Sequence, residues 1–129
     1  MPTTLKIFAI AVLPLFLLSC GTETKSTELQ RSAAQLISTG ADLYTKWNCG
    51  ACHGDFGEGT PKGPPLQNLE QHWNRQALAR YLANPGDVLA NDVRLKALAK
   101  RYRPVAMPAF DELTEQERMA LAAYVLTFD

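Results

Sequence analysis

Cys49-Gly50-Ala51-Cys52-His53 constrains what this chain can become more than any other stretch. Two cysteines three positions apart, with a histidine directly after the second, form the attachment site for covalent haem. The spacing has a chemical reason: both thiols must reach the two vinyl groups of one porphyrin while the adjacent imidazole rises under the iron. Cys-x-x-Cys alone would equally suit zinc or thiol redox chemistry, and the histidine narrows the choice. A chain of 129 residues, 47% hydrophobic and 20% charged, has room for one small core. Its formal net charge is zero, so nothing in the composition suggests nucleic acid.

The third cysteine, Cys20, has a different context. Lys6 precedes an apolar run from Ile7 to Leu18, which suits a signal peptide and is short for a membrane-spanning helix. The run ends in Leu17-Leu18-Ser19-Cys20-Gly21, which resembles the bacterial lipobox, where the cysteine becomes the lipidated first residue of the mature protein. An uncleaved anchor, or ordinary cleavage leaving a free thiol, are the alternatives. Acyl chains would tether the protein without spanning the membrane, each buried methylene contributing about 0.8 kcal/mol. Gly21 after the cysteine favours the outer membrane by the rule of double-membrane bacteria. Residues 20–32, mostly Thr, Glu, Lys, Ser and Gln, bury little and read as a flexible polar tether. Extended, about 12 such residues reach on the order of 40 Å. The expected organisation is a leader over 1–19, the lipidated cysteine and tether over 20–32, and one domain over 33–129.

Leu29, Ala33, Leu36, Ile37, Gly40, Leu43, Tyr44 and Trp47 recur at helical spacing, predicting a helix from near Ser32 into the cysteine motif, with an apolar face that continues past the tether boundary. Glycines and prolines from Gly54 to Pro65 then mark a loop. A second helix is predicted around Leu78, Tyr81 and Leu82, capped by Asn74 and stopped at Asn84-Pro85. A third carries Leu95, Leu98, Ala99 and Tyr102, with Asp87 or Asp92 to start it. Thr114-Glu115-Gln116-Glu117 is a capping box opening a last helix through Phe128. No strand pattern, internal repeat or second haem motif occurs, so the prediction is an all-α, single-haem domain of about four helices.

His53 is placed against one face of the iron by the thioethers themselves. For the other face, Met107 lies in Pro104-Val105-Ala106-Met107-Pro108, an irregular segment between prolines where a side chain can be aimed inward. Met119 falls inside the predicted last helix and reads as core filler, and His72, just before a helix, as a capping residue.

The mature chain resembles a small class I, mitochondrial-type cytochrome c. Gly40 and Tyr44 before Cys49-x-x-Cys52-His53-Gly54 look like the first helix of that family, Gly63-Pro64-Pro65-Leu66 like its Gly-Pro-x-Leu, and Met107-Pro108 followed by a helix with Tyr124 like its distal end. The resemblance implies one covalent haem c and a proline carbonyl holding the His53 ring, which points to Pro64 with Pro65 beside it. It also implies that Trp73 and Tyr81 sit near a haem propionate, and that Gly40 and Tyr124 meet where the first and last helices cross. For Trp73 and Tyr81 the alternative is ordinary aromatic core. The stretch from Pro85 to Met107 is longer than in the smallest bacterial members.

The activity implied is reversible one-electron transfer, not catalysis on a small-molecule substrate. The partners implied are redox proteins, a respiratory or photosynthetic complex on one side and a terminal oxidase or reductase on the other. Haem attachment in the family is completed outside the cytoplasm, which agrees with a periplasmic, lipid-anchored protein. Arg94, Lys96, Lys100, Arg101 and Arg103 form a basic cluster, read either as bordering the exposed haem edge and steering docking onto acidic partners or as a solvated helix face. Other function classes are an open-site haem protein, gas sensor or peroxidase-like; a haem subunit of a larger oxidase or dehydrogenase; and a thiol oxidoreductase using Cys49 and Cys52, disfavoured by His53 and by the lack of a βαβ pattern.

Overall fold

Helices supply the regular structure of the computed structural model, which describes residues 23–129. The leader and Cys20 lie outside the described residues. α1 runs over Glu23–Lys46 and so starts well before the predicted start near Ser32; the segment read as a flexible tether is helical from Glu23 onward. The composition of this segment buries little, and residues 25–35 are exposed, although Leu29 continues the apolar spacing into it. It nevertheless contains good helix formers without glycine or proline, and Arg31 pairs with Glu28 one turn back at 3.6 Å. A helix nucleated by its packed C-terminal half therefore propagates outward.

α6, Glu115–Val125, starts at the capping box as expected: the Thr114 hydroxyl accepts the Glu117 N–H while the Glu117 carboxylate accepts the Thr114 N–H. It ends before Phe128, which follows the turn at Leu126 and Thr127 and meets Tyr44 and Tyr124 edge-on. α1 and α6 cross at Gly40. A side chain there would collide with the Ala120 carbonyl and lie 2.6 Å from the Tyr124 Cβ, so the missing Cβ sets the closeness of the two helices.

α3, Arg75–Ala83, packs on α6 and is capped by Asn74, whose side chain accepts the Ala77 N–H. The single helix expected next is two: α4, Pro85–Asn91, capped by Asn84, and α5, Val93–Arg101, capped by Asp92. Of the two starts the sequence offers, Asp92 caps α5 while Asp87 lies in the first turn of α4; Asn84, expected only as a stop, also caps α4. With α2, Gly50–His53, there are six α-helices among the described residues rather than about four, and no β-strand. Leu43, Leu78, Leu82, Phe110, Leu121 and Val125 centre the core. Phe110 returns the chain to α3 through its N–H to the Leu82 carbonyl at 2.8 Å.

Candidate haem site

The cysteine motif is one turn of helix. α1 ends at Lys46, Asn48 turns the chain with φ 56°, and Cys49 caps α2. The His53 N–H then bonds the Cys49 carbonyl at 3.0 Å. Cys49, Cys52 and His53 occupy positions i, i+3 and i+4 of that turn and so share a face. The two thiols are free of any disulfide. Beyond His53 the chain leaves the helix at Gly54, φ 82°, whose carbonyl accepts the buried Tyr44 hydroxyl at 2.6 Å, tying the motif back to α1.

His53 is buried, and its Nδ1 lies 2.8 Å from the Pro64 carbonyl oxygen. A carbonyl only accepts, so Nδ1 carries the proton and Nε2 keeps its lone pair. Burial pushes the imidazole pKa below its ordinary value, which keeps the ring neutral. The bond settles the choice between Pro64 and Pro65. The loop holds Pro64 in place from below: the Thr60 hydroxyl donates to the Cys52 carbonyl at 2.7 Å, and the position of a Cβ on Gly63 would be 2.8 Å from that same oxygen.

Above this face lies a chamber of two adjoining cavities, about 650 and 130 Å³, which share Cys49, His53, Pro64, Tyr81, Leu95, Leu98 and Met107 as walls. The outer cavity also touches Cys52 and Trp47, and the inner one Leu66 and Trp73. Every haem-site residue expected from the sequence therefore meets at one chamber, although Cys20 is outside the described residues. His72 is exposed and Met119 packs against the core, and neither lines the chamber.

Two contributors were not read from the sequence as part of the site. Trp47 lines the outer cavity, stands edge-on to Phe110 at 5.6 Å, and has a buried indole N–H with no acceptor among the described residues. Tyr102, read only as a helix position, lines the same cavity. The basic cluster divides: all five residues are exposed, but Arg94 also lines the inner cavity and Arg103 the outer, whereas Lys96, Lys100 and Arg101 line neither.

The donor set and the walls fit haem. The volume is within the range of about 300–1,000 Å³ usual for cofactor sites. The walls are mainly apolar, two thiols and a neutral imidazole share one side, and Trp47 leaves an unused donor. The charged linings are Lys62, Arg94 and Arg103, with no Asp or Glu, which suits a ligand bearing two carboxylates. Helices wrapped around such a chamber define an all-α haem protein.

The protein family described as Cytochrome c matches residues 37–129. The chain belongs to the cytochrome c family. It is also 29% identical over 103 residues to a cytochrome c oxidase subunit 2 of Alkalihalophilus pseudofirmus, with 80% of this chain aligned and 29% of the relative. The alignment thus spans less than a third of that protein's length. No solved structure matches the chain.

Proposed function

We propose that the protein is a one-electron carrier with a single haem c bound through Cys49 and Cys52, its iron ligated by His53 and Met107, tethered to the periplasmic side of a bacterial membrane by lipid on Cys20. The observation that carries this reading is the meeting of Cys49, Cys52, His53 and Met107 at one apolar chamber. Bound haem supplies an iron that alternates between ferrous and ferric states. His53 presents a lone pair at Nε2, with its ring plane fixed through Nδ1 by Pro64. Met107 offers a soft, neutral thioether from a segment outside any helix. That thioether and the apolar walls both disfavour added positive charge, which raises the reduction potential. Together the two side chains would fill both axial positions and keep small molecules off the metal.

Thiol oxidoreductase chemistry fits poorly. Burial pushes the Cys49 thiol up to about 11, whereas such enzymes depress it. The likeness to an oxidase subunit 2 supports a second reading, in which this domain delivers electrons as part of, or directly into, a terminal oxidase. The same ligands serve both readings. Among the described residues no helix is long and apolar enough to cross a membrane. In this reading the tether acts through Cys20, and mass spectrometry should find acyl chains on Cys20 of the wild type that Cys20→Ser lacks.

The deciding experiment compares optical spectra of the matured, haem-loaded protein with those of Met107→Ala. The wild type should show the near-red sulfur-to-iron band when ferric and refuse carbon monoxide when ferrous, and Met107→Ala should lose the band and bind the gas. Ready carbon monoxide binding by the wild type would sink the carrier reading in favour of an open-site sensor or peroxidase.

A further inference from the structure

We propose that Arg94, stacked over Trp73 where the chamber meets solvent, is the counter-charge for one haem propionate. The inference rests on the haem reading above. Attachment at Cys49 and Cys52 fixes the vinyl side of the macrocycle at α2, and the two propionates leave the ring on the side away from the vinyl groups. A carboxylate entering an apolar chamber is costly unless a cation meets it.

Of the three cations in the walls, Lys62 is joined to Gly63, which packs against the Cys52 carbonyl, so it stands on the thioether side. Arg103 touches only the outer cavity. Arg94 is the one charged side chain of the inner cavity, among Leu66, Leu69, Trp73, Tyr81 and Leu95. Its Cζ lies 5.5 Å from the centre of the Trp73 ring, and Trp73 lies 5.2 Å from Tyr81. Stacking on an indole fixes the plane of a guanidinium and leaves its edge donors free. The charge also reaches the Tyr81 hydroxyl, whose pKa burial raises and Arg94 opposes.

On the solvent side Asp92 is 3.6 Å from Arg94, with the two side chains 33% and 40% exposed. Such a half-solvated pair is weak. It leaves Arg94 with donors enough for a second carboxylate, since a guanidinium carries five N–H groups. The side chain is set in place by the start of α5, where Asp92 caps the helix through the Leu95 N–H and Arg94, Leu95 and Leu98 line the chamber.

The test is a potentiometric titration of the haem-loaded full-length protein over roughly pH 5 to 9, a range bracketing carboxyl groups with raised pKa values. Wild type, Arg94→Gln, Arg94→Lys and Lys96→Gln are compared after covalent haem has been verified on each by acid-acetone extraction. Loss of the guanidinium exposes the iron to an unpaired carboxylate, which favours the ferric state. Arg94→Gln should shift the oxidised-to-reduced ratio about tenfold toward oxidised, about 59 mV for one electron. Its potential should also fall as pH rises, because the unpaired propionate takes up a proton on reduction. Arg94→Lys should restore most of the shift, and Lys96→Gln, an exposed neighbour on the same helix, should leave the potential alone. An Arg94→Gln profile superimposable on wild type, or an equal shift in Lys96→Gln, overturns the proposal. If Arg94→Gln does not retain haem, nuclear Overhauser contacts between arginine N–H and propionate methylene protons in the ferrous wild type, labelled with 15N-arginine, decide instead, and their absence overturns it. A wild-type chain that loses all its haem on extraction overturns the haem reading itself, an outcome separate from any result on Arg94.

Discussion

The Nδ1–H of His53 donates to the carbonyl of Pro64 at 2.8 Å, so the residue offered to iron is oriented by a backbone atom eleven positions along the chain. That carbonyl is positioned by the close contact of Gly63 with Cys52, at the other end of the same loop. The motif and its support are thus one mechanical unit. Moving the loop should move the imidazole.

Gly63→Ala tests this coupling. The new Cβ would sit 2.8 Å from the Cys52 carbonyl oxygen, with backbone on both sides of the contact. Overpacking of this kind costs about 1–3 kcal/mol. The haem-loaded variant should unfold at lower denaturant than wild type and show a shifted reduction potential. Lost stability with an unchanged potential would mean that the loop supports the fold without tuning His53.

Gly40→Val addresses the helix crossing. Valine would strike the Ala120 carbonyl and the Tyr124 Cβ, and the displaced α1–α6 contact should cost upwards of about 1 kcal/mol. Because neither helix carries a proposed iron ligand, the ferric and ferrous spectra should remain those of the wild type. Denaturant unfolding followed at the haem band and by helical circular dichroism checks both statements.

What could be read along the chain depended on how local each feature is. The haem motif, the Asn74 and Thr114 caps and the irregular Met107 segment are fixed by residues within a few positions, and each stands where the sequence puts it. Whether Pro64 or Pro65 meets His53 needed the path of the loop, since adjacent carbonyls point in different directions. The start of α1 was missed because low apolar content predicts exposure, and an exposed segment attached to a packed helix need not be irregular. Arg94 was grouped with its basic neighbours because charge in sequence does not say which side of α5 faces inward. Only the placement of Leu95 and Leu98 on the chamber wall shows that.

Glu117 gives the fold a defined acid response. Its carboxylate accepts the Thr114 N–H and hydroxyl, both at 2.8 Å, and these bonds hold its pKa below the ordinary 4.5. A group whose folded pKa is depressed contributes its stability above the unfolded value, and the contribution is lost as pH falls through the folded one. Glu117→Gln should therefore be less stable than wild type near neutrality, with the difference closing below about pH 4.5. Urea midpoints measured across that range test it, and a difference that stays constant with pH would remove Glu117 as the cause.

Haem should also decide whether the chain folds at all. An empty internal cavity costs about 24 cal/mol per Å³ where its walls cannot relax. For a chamber of about 650 Å³ that figure is on the order of 15 kcal/mol, an upper bound because the chamber opens to solvent. Small domains are stable by only about 5–15 kcal/mol in total. The chain therefore lacks the means to hold these walls apart unaided, and Tyr81, Leu95, Leu98 and Met107 would collapse inward or the fold would open. Protein produced without haem attachment should show no cooperative calorimetric transition, whereas the matured protein should show one. A sharp transition in the haem-free chain would mean that the contacts of α1, α3 and α6 suffice to form the domain before the cofactor arrives.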